Sequence, residues 1–389
     1  MEEEHVSGVL VPLLTRLIQD EQDSVRLLAV QSSIYICRAL DNEQRHVTLL
    51  PLLLQNCCSD SSWRVRYVLA EKFVELHEAS GSAAGVTGFV DALLKLLRDS
   101  EAEVRAAAAS VISDFCAGLP EDCKTTIIVE QILPCVKSLS MDASPFVRSA
   151  LALHIMKLSK TIDPELSMSC LVDLFTTFLA DDFPDVRLNA ILTLSDICGV
   201  LSTSSLSRSI IPSIIGLSED RQWRVRLSVI EYIPELARRL DDEFSENVGS
   251  LCTKWLCDSV HFIRKSTSKT IADLVRLYGA TWAKTAIFPA LFQMANYQNY
   301  LHRMTVLFTI DSLLPVLDSD VIIEDLIPLV IKMAGDPIAN VRFNAAKTMG
   351  SLIKSLSFKP ENIEITLKSL EEDPDPDVRF YANQSLECC

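Results

Sequence analysis

Residues 20–30 read DEQDSVRLLAV and residues 60–70 read DSSWRVRYVLA, one phrase repeated 40 residues on. In both, an aspartate stands six residues before an arginine and a valine immediately precedes that arginine. Working outward, the arginine recurs as Arg26, Arg66, Arg105, Arg148, Arg187, Arg226, Arg264, Arg303, Arg342 and Arg379, at intervals of 37 to 43 residues. The aspartate accompanies it as Asp20, Asp60, Asp99, Asp142, Asp181, Asp220, Asp258, Asp336 and Asp373, and only the eighth unit departs, with Tyr297. A proline keeps the same phase as Pro12, Pro134, Pro212, Pro289 and Pro328, with Pro51 displaced by one. Such a period marks an array of small supersecondary units in which each unit stacks on its neighbours.

Each unit reads as helix, turn, helix. In the first, Val9, Leu10, Leu13, Leu14 and Leu17 form one apolar stripe at helical spacing, and Val25, Leu28, Ala29, Ser32 and Ile36 form the facing one. Ser144-Pro145 and Asp375-Pro376 mark the start of a second helix, an N-cap residue followed by a proline at the first helical position, and Pro184 plays the same part in the fifth unit. The first-helix proline has no amide to donate and crowds the preceding turn, so it is expected to bend or interrupt that helix at a fixed point. The phased aspartates and arginines are expected to form a ladder of charge-assisted hydrogen bonds, within or between units. The fold class that follows is all-α, an α-solenoid of about ten helix-turn-helix units of about 39 residues, one array over residues 1–389.

Composition agrees. The chain of 389 residues is 49% hydrophobic with only 11 glycines, poor in the turn chemistry that many short strands need. Its formal net charge of -16 has the wrong sign for neutralising phosphates, which argues against nucleic acid and anionic membrane as partners and suits proteins with basic patches. No apolar run approaches the roughly 18 residues that span a bilayer, and MEEEHVSG at the amino terminus is acidic rather than leader-like. The 12 cysteines, such as Cys37, Cys116 and Cys198, form no C-x-x-C pair and read as buried reduced thiols, pointing to the cytoplasm or nucleus. The closing Cys388-Cys389 reads as a pair of thiols on a frayed last helix rather than as a lipidation signal.

No phosphate-cradling glycine loop, H-E-x-x-H helix or G-x-S-x-G elbow occurs, and the six histidines are scattered. The expectation is therefore no enzyme, no cofactor and no metal. Tryptophan is more informative. Trp255 and Trp282 sit among apolar first-helix neighbours and should be core. Trp63 and Trp223 instead occupy the turn before a second helix, each followed by arginine, where small polar residues ordinarily belong. Trp-Arg in a turn reads as a protein contact, both types being enriched at interface hot spots; the alternative is an indole lying over an adjacent turn to shield the ladder.

The strings DEQDSVRLLAV, WRVRYVLAEKFVEL, AEVRAAA, QILPCVKSL, WRVRLSVIEYIPELA, NYLHRMTVLFTI and MAGDPIANVRFNAAK resemble the scaffold (A, or 65 kDa regulatory) subunit of protein phosphatase 2A, a HEAT-repeat family. That family has fifteen repeats, and the ten here resemble its sixth to fifteenth. The resemblance implies a non-catalytic scaffold that binds the phosphatase catalytic subunit through turns in residues 202–389 and regulatory B-type subunits, incompletely, through turns in residues 1–201. On the catalytic-subunit side it points to Trp223, Arg224, Tyr300 and Asn340, and to His261, which stands where the family commonly has tyrosine. On the regulatory-subunit side it points to Asp20, Asp23, Trp63 and Arg64. The rival reading is an importin-type HEAT transport receptor, also acidic, which does not account for the quoted strings.

Overall fold

The computed structural model describes residues 6–81, 85–199, 202, 206, 208–240 and 242–387. Among the described residues the regular structure is helical and no strand occurs, so the chain adopts the all-α solenoid architecture that the period implies. It divides into two compact units, Met1–Ile215 and Gly216–Cys389. His5 and the Cys388-Cys389 pair lie outside the described residues.

In the first unit Val11–Ile18 is followed by Asp23–Ala39, Leu50–Cys57 by Trp63–Glu71 and Phe73–Ser80, and Val86–Leu96 by Ala102–Ala117. Leu133–Leu139 is then followed by Pro145–His154, and Pro164–Leu179 by Pro184–Leu192. In the second unit Trp223–Arg239 precedes Asp242–Leu256, which leads into the run His261–Trp282. Phe288–Met294 with Tyr300–Leu313, Ile327–Ala334 with Ala339–Leu356 and Glu361–Leu370 with Pro376–Leu386 complete it. The run His261–Trp282 is two helices joined at Gly279, whose φ of 84° and ψ of 173° only glycine adopts without strain.

The phased proline acts through a π turn. Val6–Leu10, Arg45–Leu49, Ile128–Ile132, Ala283–Ile287 and Ile322–Leu326 are single π-helical turns, each ending two residues before Pro12, Pro51, Pro134, Pro289 or Pro328. A proline cannot donate to the carbonyl four residues back, so the chain widens there and resumes as α-helix with the proline in its first turn.

The expected ladder is present, and it runs both within and between repeats. Seven of the arginines reach forward with a two-pronged fork to the carboxylate of the next turn. The pairs are Arg26 with Asp60, Arg66 with Asp99, Arg105 with Asp142 and Arg148 with Asp181, all at 2.6–2.9 Å. In the second unit they are Arg226 with Asp258, Arg303 with Asp336 and Arg342 with Asp373, again at 2.6–2.9 Å. The remaining Nη1 turns back to the carbonyl of the repeat's own aspartate, as Arg105 does to Asp99 at 2.8 Å. The aspartate also accepts the amide two residues on, as Asp142 does from Ser144 at 2.8 Å, which sets the turn. The Ser144 hydroxyl makes no capping bond, whereas Asp375 does accept from the Asp377 and Val378 amides. Burial pushes the Asp99, Asp142 and Asp181 carboxyls upward, but the arginine fork and the turn amide outweigh it and hold them below the ordinary aspartate value.

Beneath the ladder the core is aliphatic and aromatic. Phe73, Phe89 and Phe115 interlock edge to face with centroids 5.4–5.6 Å apart. Cys37, Cys57, Cys58, Cys116 and Cys252 are buried, as expected, and burial pushes the Cys57, Cys58, Cys116 and Cys252 thiols up to about 12. Trp255 is buried and donates to the Ser218 carbonyl at 3.0 Å, while Trp282, expected in the core, is only half-buried and donates to the Ser245 carbonyl at 3.1 Å.

Candidate protein-binding surface

Because each fork ties one turn to the next, consecutive inter-helix turns within a unit lie side by side. The residues that such a row shows to solvent are those just before the Val-Arg phrase, where the chain has left the first helix and not yet entered the second. Polar residues would ordinarily fill these places. Here several are aromatic.

In the second unit Trp223 opens its helix from an extended Gln222. Its indole stacks on Phe262 of the next turn, centroids 5.8 Å apart and planes 18° from parallel. The Arg224 guanidinium lies 5.2 Å from the centroid of the same indole. His261 is exposed beside Phe262, with centroids 6.1 Å apart. Trp223, Arg224 and His261 are thus brought together, and Phe262, 60% exposed, completes the cluster. Tyr300 and Asn340 sit at the two following turns, both exposed and separate from the Trp223 cluster. The Asn340 carbonyl accepts from Asn344 Nδ2 at 2.7 Å.

In the first unit Asp23, Trp63 and Arg64 come together. Asp23 Oδ2 accepts from Ser62 Oγ at 2.9 Å and lies 3.6 Å from Arg64 Nη1, and the Arg64 guanidinium stands 5.5 Å from the Trp63 centroid. Trp63, 38% exposed, meets Tyr67 edge-on. The Ser62 hydroxyl first, with Arg64 assisting, holds the Asp23 carboxyl below its ordinary value. Asp20 stays apart and sets its own turn through the Gln22 amide at 2.9 Å.

One thing was missed by reading the residues alone. Phe146, 78% exposed, Phe183 and Phe262 are turn aromatics of the same kind as the tryptophans, legible as any aromatic within the four residues before the phased arginine. For Trp223 the alternative reading, an indole lying over an adjacent turn, describes the geometry: its ring bridges two repeats through Phe262. Among the described residues no three His, Cys, Asp or Glu side chains are placed to hold a metal, and no helix is long and apolar enough to cross a membrane.

Comparison with known proteins fits this geometry. Residues 49–80 and 326–356 match the family model for the HEAT repeat, and residues 82–163 match that for the PPP2R1A-like HEAT repeat. The beta isoform of the human serine/threonine-protein phosphatase 2A 65 kDa regulatory (A-type) subunit is 43% identical over 123 residues, 32% of this chain and 20% of its own length. Human serine/threonine-protein phosphatase 4 regulatory subunit 1 is 24% identical over 267 residues, 64% of this chain and 28% of its own length. The crystal structure of Kap121p superposes with a TM-score of 0.61 at 13% identity over 97% of this chain and 45% of that one, a likeness of fold alone. The chain is thus an all-α solenoid that carries HEAT-type repeats over the matched residues. Its repeats resemble those of the 65 kDa regulatory subunit of phosphatase 2A, and the matched stretch spans about a fifth of the human relative's length.

Proposed function

We propose that the protein is a non-catalytic scaffold of a serine/threonine phosphatase 2A complex, which holds the catalytic subunit on the turns of its second unit and a regulatory B-type subunit on those of its first. The observation that carries this reading is the cluster of half-buried Trp223 with exposed Arg224 and Phe262. It puts two aromatic rings and a guanidinium on a turn, the residue types that dominate binding energy at protein interfaces. Relatives at 43% identity over about a third of the chain supply the phosphatase. A net charge of -16 favours basic partner surfaces over nucleic acid.

A second reading within the same class has a specific observation behind it. The phosphatase 4 regulatory subunit 1 is more distant but matches twice as much of the chain, 64% against 32%, which supports a phosphatase 4 catalytic subunit as the alternative partner. The importin-type reading rests only on a likeness of fold. Affinity purification of the tagged chain from its native cell, with mass spectrometry of what it retains, decides among them. Recovery of a phosphatase 2A catalytic subunit supports the proposal, a phosphatase 4 subunit moves it to the second reading, and transport cargo without any phosphatase rejects both.

A further inference from the structure

The ladder has one break inside the second unit. Where the other turns present an aspartate, the turn after Arg264 presents Tyr297. Arg264 is only 7% exposed, yet the two donors that elsewhere close a fork on a carboxylate have none to meet. Its Nη1 keeps the bonds within its own repeat, to the Asp258 and Ser259 carbonyls at 2.8 and 3.1 Å, while Nε turns to the hydroxyl of Thr305 at 3.2 Å. A hydroxyl is a poor substitute, since it is neutral and already donates to the Leu301 carbonyl at 2.8 Å.

Beside this arginine lies a cleft of about 330 Å³ between the second helices of the seventh and eighth repeats. Lys265 and Lys269, one helical turn apart and both exposed, stand on its rim with His261, and Phe308 forms an apolar wall. Among the described residues neither lysine makes an ion pair, whereas Lys254 and Lys284 nearby do. In a chain of net charge -16 this gathers two lysines around one buried guanidinium fork and its cleft. Asp311 is the opposing charge: it lines the same cleft, Thr348 donates to its Oδ2 at 3.1 Å, its Oδ1 has no partner, and burial pushes its carboxyl up to about 6.

We propose that this cleft receives an aspartate or glutamate side chain from an acidic segment of a partner protein, its carboxylate taking the place on Arg264 that Tyr297 leaves vacant, with Lys265 and Lys269 holding the flanking acidic residues. The choice of a carboxylate follows from the other forks in the ladder, where the same arginine position takes a bidentate carboxylate at 2.6–2.9 Å. The site does not depend on which phosphatase, if any, the scaffold holds.

The test uses the full chain and a fluorescein-labelled hexaglutamate peptide followed by anisotropy, with hexaserine as the blank. Binding that weakens with added salt is expected for the wild type. Tyr297→Asp supplies the missing carboxylate internally, so it should weaken the peptide at least tenfold while raising the melting temperature. Lys265→Glu with Lys269→Glu, at exposed positions that leave the fold intact, should abolish binding, and Asp311→Asn should tighten it. As a control, Arg238→Glu with Arg239→Glu reverses two exposed charges away from the cleft and should leave binding within twofold. The proposal is overturned if hexaglutamate fails to bind the wild type at millimolar concentration, if Tyr297→Asp binds as well as the wild type, or if the control variant loses as much as the lysine variant.

Discussion

Removing one ladder arginine should loosen two repeats, and Arg105→Ala is the cleanest case because every partner of the guanidinium is in place. Arg105 donates to Asp142 at 2.7 and 2.9 Å, to the Asp99 carbonyl at 2.8 Å and to the Ser100 carbonyl at 3.0 Å. The two charged side chains are only 16% and 9% exposed, so solvent screens them little. Alanine leaves the Asp142 carboxylate buried with the Ser144 amide as its remaining donor. Breaking a fully buried pair costs about 3 to 5 kcal/mol, and the residual exposure here puts the loss near the lower end, about 3 kcal/mol or roughly a hundredfold in a local opening equilibrium. A repeat array need not unfold in one step, so amide hydrogen exchange is the assay, read over Ala102–Ala117 and Pro145–His154. Two comparisons isolate the cause. Lys254 and Glu219 lie 2.9 Å apart but are 61% and 69% exposed, so Lys254→Ala should change exchange hardly at all. Arg105→Met with Asp142→Leu removes both charges and should recover most of the loss. Exchange unchanged in Arg105→Ala, or equal effects at Arg105 and Lys254, would refute the view that the ladder holds the repeats together.

Asp311 gives a prediction of opposite sign: its folded pKa is raised to about 6 from 3.8, so ionisation costs stability as pH climbs through that window. Asp311→Asn should therefore stabilise the protein by up to about 3 kcal/mol at pH 7.5 and by little at pH 4, checked by thermal melts at both. The ladder carboxylates Asp99, Asp142, Asp181 and Asp373 are depressed instead, so their contribution is present above the ordinary aspartate value and lost as pH falls below it; melting temperature should drop steeply under about pH 4. Cys57, Cys58, Cys116 and Cys252, with thiols near 12, should resist iodoacetamide at pH 8 in the native protein and react after denaturation, as followed by peptide mass mapping.

The architecture was legible because one short phrase carries three jobs at once. The aspartate sets the turn, the arginine ties it to the next, and the valine between them faces the core, as Val65 and Val104 do. Shared constraints leave nearly the same residues in each unit, with Ile263 and His302 in the valine's place in two of them, and an exception such as Tyr297 stands out. What could not be read is whatever depends on two units together. Phe262 lies 39 residues from Trp223, and nothing local to either says that their rings stack. The turn of Arg264 Nε to Thr305 likewise becomes visible only once the second helices of two repeats are set side by side. The π turns were hidden for a different reason: proline forbids a regular helix, but whether the chain bends, breaks or widens by one residue depends on the packing around it.

The central claim, that exposed turn residues of the second unit hold a phosphatase catalytic subunit, is tested most directly by calorimetry with the purified catalytic subunit of phosphatase 2A. Trp223→Ala with Arg224→Ala should weaken binding by at least about 2 kcal/mol, roughly thirtyfold. Circular dichroism should show the helices intact, with a small loss of melting temperature from the broken stack on Phe262. Trp63→Ala with Arg64→Ala, in the first unit, should bind with the same affinity as the unaltered chain. Absence of binding to the unaltered chain, or equal losses from the two variants, would contradict the account.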